Sequence, residues 1–361
     1  MGSREIIAGV VAGIVVVALL AVGVGWEQVL DGVLAADKPL FGLALLAGFG
    51  SIVAWGLSVY ALVRPVPDAP GLRRFGHLYL AAVFVKQAIP FGVAGGAAVL
   101  AYVISRYSDT TIERTLLATT VAGFLSTVAS ALVAGLGLLF VLLTRPIPQW
   151  ILQLTVALAI GLLMLIVVVT AFAIWPVILR RSTVRFAGTI HPTVSWLSAR
   201  VGRLIEPTQV RARLDRFIET GEVIARDPRA VVGSFAAAVL AWVFTAAALS
   251  FSLAAVGSPG PLSVSAFAVT VSGVATAVPL PGGLGGVEAT LSAIVTVLTG
   301  DRVATVSAGI VVFRLATFWL RLVVGGPAGL TVLGRYGSGS RALDELDEIE
   351  EGVGDASQAS E

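Results

Sequence analysis

A run of prolines and glycines inside apolar sequence constrains this chain more than any other feature. Residues Val278–Leu291 read V-P-L-P-G-G-L-G-G-V-E-A-T-L, and long apolar stretches lie on both sides. Backbone N–H and C=O groups at membrane depth need hydrogen-bond partners, so non-helical backbone occurs there only inside protein or beside a wet cavity. The stretch therefore predicts a broken or re-entrant helix rather than an ordinary loop.

The composition places the chain among helical membrane proteins. It is 57% hydrophobic and 13% charged, with a mean hydropathy of +0.94, which excludes a soluble globular domain. Cysteine is absent and the two histidines, His77 and His191, lie far apart, so disulfides, thiolate chemistry and a zinc site are not expected. We expect no cofactor, no metal and no nucleic-acid partner.

Eight apolar segments are candidate membrane segments. They are Ile6–Gly25, Leu40–Val63, Leu78–Ile104, Thr115–Leu143, Trp150–Leu179, Ala230–Val256, Leu262–Leu298 and Val303–Leu333. A cleaved signal peptide is the alternative for the first segment. We expect an uncleaved helix there, because the apolar run is too long and no small-x-small cleavage site follows it.

The distribution of arginine predicts which loops face the cytoplasm. Residues 180–229 contain ten arginines against five acidic residues, and residues 64–77 contain three against one. By the positive-inside rule both loops are cytoplasmic, whereas the acidic loop at 26–39 is outside. Two interpretations of residues 180–229 fit the sequence: short amphipathic helices at the membrane surface, or a solvated connector.

Three full crossings after residues 64–77 would place the arginine-rich loop outside, against this rule. The conflict disappears if Leu78–Ile104, broken at Pro90, enters and leaves on one side, and if Leu262–Leu298 does the same. We therefore predict an all-α polytopic membrane protein with about six full transmembrane helices and two re-entrant ones. Position 108 is then inside and position 301 outside.

The two broken segments also suggest an internal repeat. Residues 40–143 and 230–333 each consist of a predicted span, a broken segment and a second predicted span. Pro90 lies 50 residues after the start of the first unit (90 − 40), and Pro281 lies 51 residues after the start of the second (281 − 230). The first unit starts outside and the second inside, which is the plan of an inverted-topology transporter repeat. Coincidence is the alternative, because sequence identity between the units is slight.

Glu288 is the most informative single residue. A carboxylate in the membrane costs about 2.5 kcal/mol or more unless it is paired or hydrated. One reading is structural: Glu288 lies in the first turn of a half-helix, where the dipole and free N–H groups favour negative charge. The other is functional: Glu288 binds a cationic headgroup or cycles a proton.

Three cations accompany this acid. Arg314 and Arg321 lie seven residues apart within the last apolar span, and Lys86 precedes Pro90 in the first unit. Snorkelling, or an ion pair between an arginine and Glu288, is one reading. The other is that they bind a lipid phosphate, for which the guanidinium fork is suited and for which Arg314, being deeper, is the better candidate. Lys86 fits either a binding site or the cytoplasmic interface.

The glycines of the motif also have two readings. Gly282, Gly283, Gly285 and Gly286 would permit a tight turn and close packing, or expose amides that bind an anion such as a phosphate. The run is neither a dinucleotide fingerprint nor a P-loop, since it lacks the βαβ context and the Gly-Lys-Ser/Thr sequence.

The motif P-L-P-G-G-L-G-G-V-E-A, followed by F-R-L-A-T-F-W-L-R-L-V-V-G-G, resembles the lysylphosphatidylglycerol synthase transmembrane-region family of flippase-like integral membrane proteins. The resemblance implies a helical domain that moves lipids, or assists their movement, between leaflets. The positions that carry over are Pro281, Gly282, Gly283, Gly285, Glu288 and Arg314. No room remains after Leu333 for the soluble aminoacyl-transferase domain of synthase members, so a stand-alone member is expected. Such relatives point to envelope or glycosylation machinery as partners.

The leading hypothesis is a plasma-membrane lipid flippase that works without ATP on an anionic headgroup of the phosphatidylglycerol or polyprenyl-phosphate type. Residues 1–335 would form its transmembrane domain, and residues 336–361 a disordered acidic tail inside the cell. Its substrate site would contain the residues named above, Pro90 included, and none of them would be catalytic. The alternatives are an integral-membrane enzyme acting on lipid-linked substrates and a non-catalytic scaffold subunit.

Overall fold

The computed structural model describes residues 31, 33–88, 96–144, 148–174, 219–224, 226–277 and 283–336. The predicted first span Ile6–Gly25, most of the arginine-rich loop and the acidic tail after Tyr336 lie outside these residues. The described part is helical and contains no β-strand, which confirms the predicted all-α class.

Ten helices in the described residues carry the fold. The first half contains α1 (Lys38–Val63), α2 (Leu72–Ala88), α3 (Gly96–Arg106), α4 (Ile112–Thr144) and α5 (Gln149–Ile174). The second half contains α6 (Pro228–Ala255), α7 (Leu262–Ser272), α8 (Gly286–Thr299), α9 (Val303–Arg314) and α10 (Leu320–Tyr336). A 3₁₀ segment, Gly273–Ala277, extends α7, and a π-helical segment, Leu315–Trp319, joins α9 to α10.

Four of these helical stretches are long and apolar enough to cross a membrane. They are α1, α4, α6 and the continuous helix that runs from Val303 through the π-helical segment into α10. The two predicted broken segments correspond instead to pairs of shorter helices. α2 begins at Leu72, six residues before the predicted Leu78, because the helix also includes the mixed sequence L-R-R-F-G-H at residues 72–77.

Each pair of short helices is a hairpin whose two ends lie on the same side of the molecule. At the first pair, Arg74 near the start of α2 forms an ion pair with Asp109 just after α3, at 3.8 Å. At the second, the Ser258 hydroxyl before α7 donates to the Asp301 carboxylate after α8, at 2.5 Å. Both segments therefore enter and leave on one side, as predicted.

The two hairpins enter from opposite sides. Arg64 after α1 pairs with Asp227 before α6 at 3.8 Å, and the Asp37 N–H before α1 donates to the Ala255 carbonyl at the end of α6, at 2.8 Å. α1 and α6 are therefore antiparallel. We call the side that holds residues 64–71, 107–114 and 226–227 the first side, and the side that holds 255–261 and 300–302 the second.

The inverted repeat predicted from the two breaks is present in the structure. The starts of α1 and α6, of α2 and α7, and of α3 and α8 are each 190 residues apart (228 − 38, 262 − 72 and 286 − 96), and those of α4 and α9 are 191 apart (303 − 112). Even the N-caps correspond: Asp37 accepts from Leu40 N and Asp227 from Ala230 N. The first unit starts on the second side and the second unit on the first.

Each hairpin packs against the last helix of the other unit. α2 lies along α10, and α7 lies along α4. Glycines permit both approaches: a Cβ at Gly325 of α10 would lie 2.7 Å from the Leu80 carbonyl oxygen, and one at Gly137 of α4 would lie 2.7 Å from that of Ser263. Since lipid offers no hydrophobic drive for helix association, such close backbone packing is what holds membrane helices together.

Close backbone packing at a glycine also holds α1 against the π-helical segment, and this contact yields a stability prediction. A methyl group at Gly48 would overlap the carbonyl oxygen of Ala316, whereas Gly42 on the same helix has no atom within 4 Å of the position a Cβ would take. We expect Gly48→Ala to lower the unfolding free energy by about 2 kcal/mol through overpacking. Gly42→Ala, the matched control, should be neutral or stabilising by up to about 1 kcal/mol through helix propensity. Thermal unfolding in detergent measures both, and equal effects would contradict the close contact.

The topology yields a labelling prediction. The natural chain has no cysteine, so single cysteines at exposed positions report sidedness without background. Asp109→Cys should react from the same face as Arg73→Cys, and Arg302→Cys from the same face as Lys38→Cys. If the predicted orientation is also right, an impermeant maleimide added to intact cells labels only the second pair. Labelling of Asp109→Cys together with Arg302→Cys would contradict re-entry.

Candidate functional site

A cavity of about 730 Å³ lies between the two repeat units and is lined by residues of both hairpins. Lys86, Gln87 and Gly96 reach it from the first hairpin, and the stretch from Thr270 to Val274 reaches it from the second. α4 and the helix that contains Arg314 and Arg321 complete its wall. Elements that start from opposite sides of the molecule thus line one space.

The second hairpin leads into this region through a turn that requires glycine. Gly283 and Gly285 have φ values of +66° and +84°, a conformation that side-chain-bearing residues rarely adopt. Gly286 is the first residue of α8. Pro281 and Gly282, like Pro90 in the first hairpin, lie outside the described residues.

Glu288 holds the start of α8 and joins it to the last helix. It is the third residue of α8, and its Oε2 accepts a hydrogen bond from the Gly285 N–H at 2.7 Å. Its Oε1 accepts from Arg314 Nε at 2.5 Å, and the two side chains are only 19% and 13% exposed. The carboxylate therefore has both of the structural roles expected of it, a first-turn acid and an ion-pair partner. A further role towards a ligand or a proton stays a prediction.

Arg314 lies where the α-helical hydrogen-bond pattern changes. It ends α9, and the π-helical segment Leu315–Trp319 begins with the next residue. Its guanidinium carbon is 5.3 Å from the ring centroid of Phe318, and its side chain lines the cavity while it pairs with Glu288. A π-helical turn often marks a functional site, and no signal in the sequence predicted this one.

Lys86 and Arg321 line the same cavity without an acidic partner in the described part of the chain. The Lys86 side chain crosses the start of α3, where a Cβ at Gly96 would be 3.1 Å from its Nζ. The two cations are near enough to repel each other, and Tyr79 interacts with Arg321. The structure thus brings Lys86 of the first unit together with two arginines of the second, and Arg321 is as much part of the site as Arg314.

A polar and aromatic wall of the cavity was not predicted. Thr119, Ser126, Thr127 and Ser130 project from one face of α4, at positions i, i+7, i+8 and i+11, and Thr245, Thr270 and Ser272 lie across from them. Trp55 and Trp242 meet edge to face at 5.6 Å, and Trp242 Nε1 donates to the Ser126 carbonyl at 3.2 Å. The sequence signal that could have predicted this wall is the helical spacing of Ser and Thr residues within an apolar span.

The ion pair yields a prediction about stability. Removing one partner of a largely buried pair leaves an uncompensated charge, so Glu288→Gln and Arg314→Gln should each lower the unfolding free energy by about 3 kcal/mol. The double variant should lose clearly less than the sum, because neither charge is then left alone. Denaturation in mixed micelles measures this cycle. Arg226→Gln, which breaks an exposed pair with Glu222, is the control and should change stability by less than about 0.5 kcal/mol. Additive losses at 288 and 314 would contradict the coupling.

Comparison with known proteins agrees with this architecture. The chain is 24% identical over 317 residues to a UPF0104 membrane protein of Methanothermobacter thermautotrophicus, a match that covers 88% of this chain and 92% of the relative. The family model of the lysylphosphatidylglycerol synthase TM region matches residues 6–325, a range that includes the first repeat unit, the second unit as far as Gly325, and every cavity-lining side chain named above. The protein is therefore an integral membrane protein of the lysylphosphatidylglycerol synthase transmembrane-region family.

Proposed function

We propose that this protein moves lipids with anionic headgroups between the leaflets of the cell membrane without hydrolysing ATP. The headgroup would pass through the cavity while its hydrocarbon chains stay in the bilayer. The single observation that carries the proposal is a cavity with three cationic side chains that is lined by both hairpins, which enter from opposite sides. The first side would face the cytoplasm, as the arginine distribution predicts.

The inverted repeat supports movement rather than static binding. In transporters built this way the site lies near the midplane at the interface of the repeats, and one repeat rocks against the other to expose it alternately. Here α2 and α3 of one unit and α7 and α8 of the other occupy equivalent positions. Exchanging the conformations of two such units would open the cavity first to one side and then to the other.

The charge of the cavity supports an anionic cargo. A cationic side chain at membrane depth costs about 2.5–3.5 kcal/mol unless something offsets it. Glu288 offsets Arg314, whereas Lys86 and Arg321 have no acidic partner among the described residues. A phosphate placed between them would receive charge-assisted hydrogen bonds and would remove their mutual repulsion. In the proposed mechanism, Glu288 and the phosphate compete for Arg314. When the phosphate binds Arg314, Glu288 accepts a proton or a cation instead.

The family supports a lipid cargo. The family is named for the transmembrane region of lysylphosphatidylglycerol synthase, and the relative is named only as a membrane protein. A membrane domain that accompanies a lipid-modifying activity has lipid as its natural ligand. The Gly283 N–H would be an additional donor to the phosphate, since the Gly285 N–H already donates to Glu288.

Removing the charge of Lys86 or of Arg321 tests the proposal. The purified full-length protein is reconstituted into liposomes that contain fluorescent phosphatidylglycerol or fluorescent polyprenyl phosphate, and dithionite quenching follows movement between leaflets. Wild type should move at least one of these lipids. Lys86→Gln and Arg321→Gln should each lower the initial rate at limiting lipid by roughly tenfold or more, as expected for one lost charge-assisted hydrogen bond.

Lys38→Gln is the matched control, because Lys38 is exposed on the second side, and its rate should equal that of the wild type. Chemical conversion of a lipid probe by the wild type would indicate an enzyme instead. Absence of both movement and conversion, with the protein folded, would overturn the proposal in favour of a scaffold. Equal rates for all variants would show that the cavity is not the path.

A further inference from the structure

We infer that the headgroup handled by this cavity is a phosphate ester that carries an uncharged polyhydroxyl group larger than glycerol, such as a sugar or a cyclitol, and not an aminoacyl group. The inference rests on the proposed function and specifies its substrate class. It follows from three properties of the cavity wall: its charge, its hydroxyl groups and its tryptophans.

The charge of the wall excludes a cationic headgroup. Lys86, Arg314 and Arg321 are its charged residues, and no described residue of the wall is acidic. The nearby Glu288 already accepts from Arg314 and from the Gly285 N–H. While Glu288 stays paired with Arg314, the two ammonium groups of a lysyl ester would therefore face Lys86 and Arg321 and no free carboxylate among the described residues of the wall, and a like charge in a low-dielectric site is strongly repelled.

The hydroxyl groups of the wall are acceptors. Thr127, Thr245 and Thr270 each donate to the carbonyl four residues earlier in their own helix, at 2.8–3.0 Å. Ser272 donates to Val269 O and Ser130 to Thr127 O. Because these hydroxyl protons are donated within the helices, the lone pairs of the hydroxyl oxygens remain available to accept hydrogen bonds from a ligand in the cavity. A polyhydroxyl group supplies such donors, whereas hydrocarbon chains do not.

The order of the residues along α4 predicts how the headgroup would be oriented in the cavity. Thr119 Oγ1 donates to Ala97 O, next to the point where Lys86 crosses the start of α3, whereas the backbone carbonyl of Ser126 accepts from Trp242 Nε1. Eleven residues separate Thr119 from Ser130 (130 − 119), which is roughly 16 Å along a helix. A phosphate held by Lys86 and Arg321 would thus have space for a hydroxylated group along α4.

The tryptophans complete this second part of the cavity. Trp55 comes from the first unit and Trp242 from the second, and their edge-to-face contact gives a rigid apolar surface beside the hydroxyls. The electron-rich face of an indole packs against the C–H groups of a sugar or cyclitol ring. A cavity of about 730 Å³ is much larger than a lone phosphate requires and falls in the ordinary range for organic ligands.

A comparison of four lipids tests the inference with the full-length protein in nanodiscs. The probes are phosphatidylglycerol, lysyl-phosphatidylglycerol, phosphatidylinositol and a polyprenyl-phosphate hexose, each with the same fluorophore. Binding should be at least roughly fivefold tighter for one of the two ring-bearing lipids than for phosphatidylglycerol, and weakest for lysyl-phosphatidylglycerol. Which of the two binds more tightly distinguishes a glycerolipid source from a prenyl-lipid source.

Variants of α4 test the role of the hydroxyls. Thr127→Val combined with Ser130→Ala should weaken binding of the ring-bearing lipid by roughly fivefold or more, as expected for two lost hydrogen bonds, and should change phosphatidylglycerol binding by less than about twofold. Thr155→Val is the matched control, because Thr155 makes the same bond to its own helix, to Ile151 O, but does not line the cavity. Melting temperatures confirm that the variants fold.

The outcomes separate this inference from the proposed function. Equal or tighter binding of lysyl-phosphatidylglycerol, or an equal loss for all lipids in the α4 variant, overturns the polyhydroxyl headgroup while movement of phosphatidylglycerol would still support a flippase. Selective binding of a ring-bearing lipid without movement in liposomes supports the inference and overturns transport. No binding of any of the four overturns both.

Discussion

The need to satisfy backbone hydrogen bonds away from water governs this structure. A helix that stops inside the membrane leaves N–H and C=O groups open, so each hairpin must be enclosed by protein. The second unit's last helix encloses the first hairpin, and the first unit's last helix encloses the second. The two inverted copies also pack closely along α1 and α6. The cavity lies between the two units and is lined by helices of both hairpins.

The contact between Glu288 and Arg314 connects the second hairpin to the helix that lines the site. The carboxylate satisfies one free N–H group at the start of α8 and at the same time neutralises an arginine at the start of the π-helical segment. In that segment, Ala316 lies against Gly48 of the first unit. One charge pair thus relates the geometry of the glycine turn to the packing of the two units. A ligand that competes for Arg314 would act on all of these contacts, which is a physical route from binding to movement.

Much of the fold could be predicted because the membrane restricts what apolar sequence can do. Span lengths, arginine counts and the two proline–glycine breaks were enough to predict the re-entrant hairpins and the inverted repeat, and the structure confirms both. The π-helical segment escaped prediction, since L-A-T-F-W has the composition of an ordinary apolar helix and its hydrogen-bond pattern depends on neighbouring helices. Arg321 was predicted as a site residue, but its surroundings were not: a spacing of seven residues from Arg314 predicts a shared helix face and not what that face contacts.

The sequence by itself determined that the chain is a helical membrane protein, where its helices break, which positions require glycine and which few charges lie in apolar surroundings. These properties are local, because span length, proline, positive φ and the cost of a charge in lipid depend on each segment alone. Only the tertiary structure decided that Lys86 and Arg321 line one cavity, that Glu288 pairs with Arg314, and that Trp55 and Trp242 lie beside the hydroxyls of α4 in the same cavity wall. Those contacts join residues that are far apart in the chain, and packing between the two units selects them where no periodicity can.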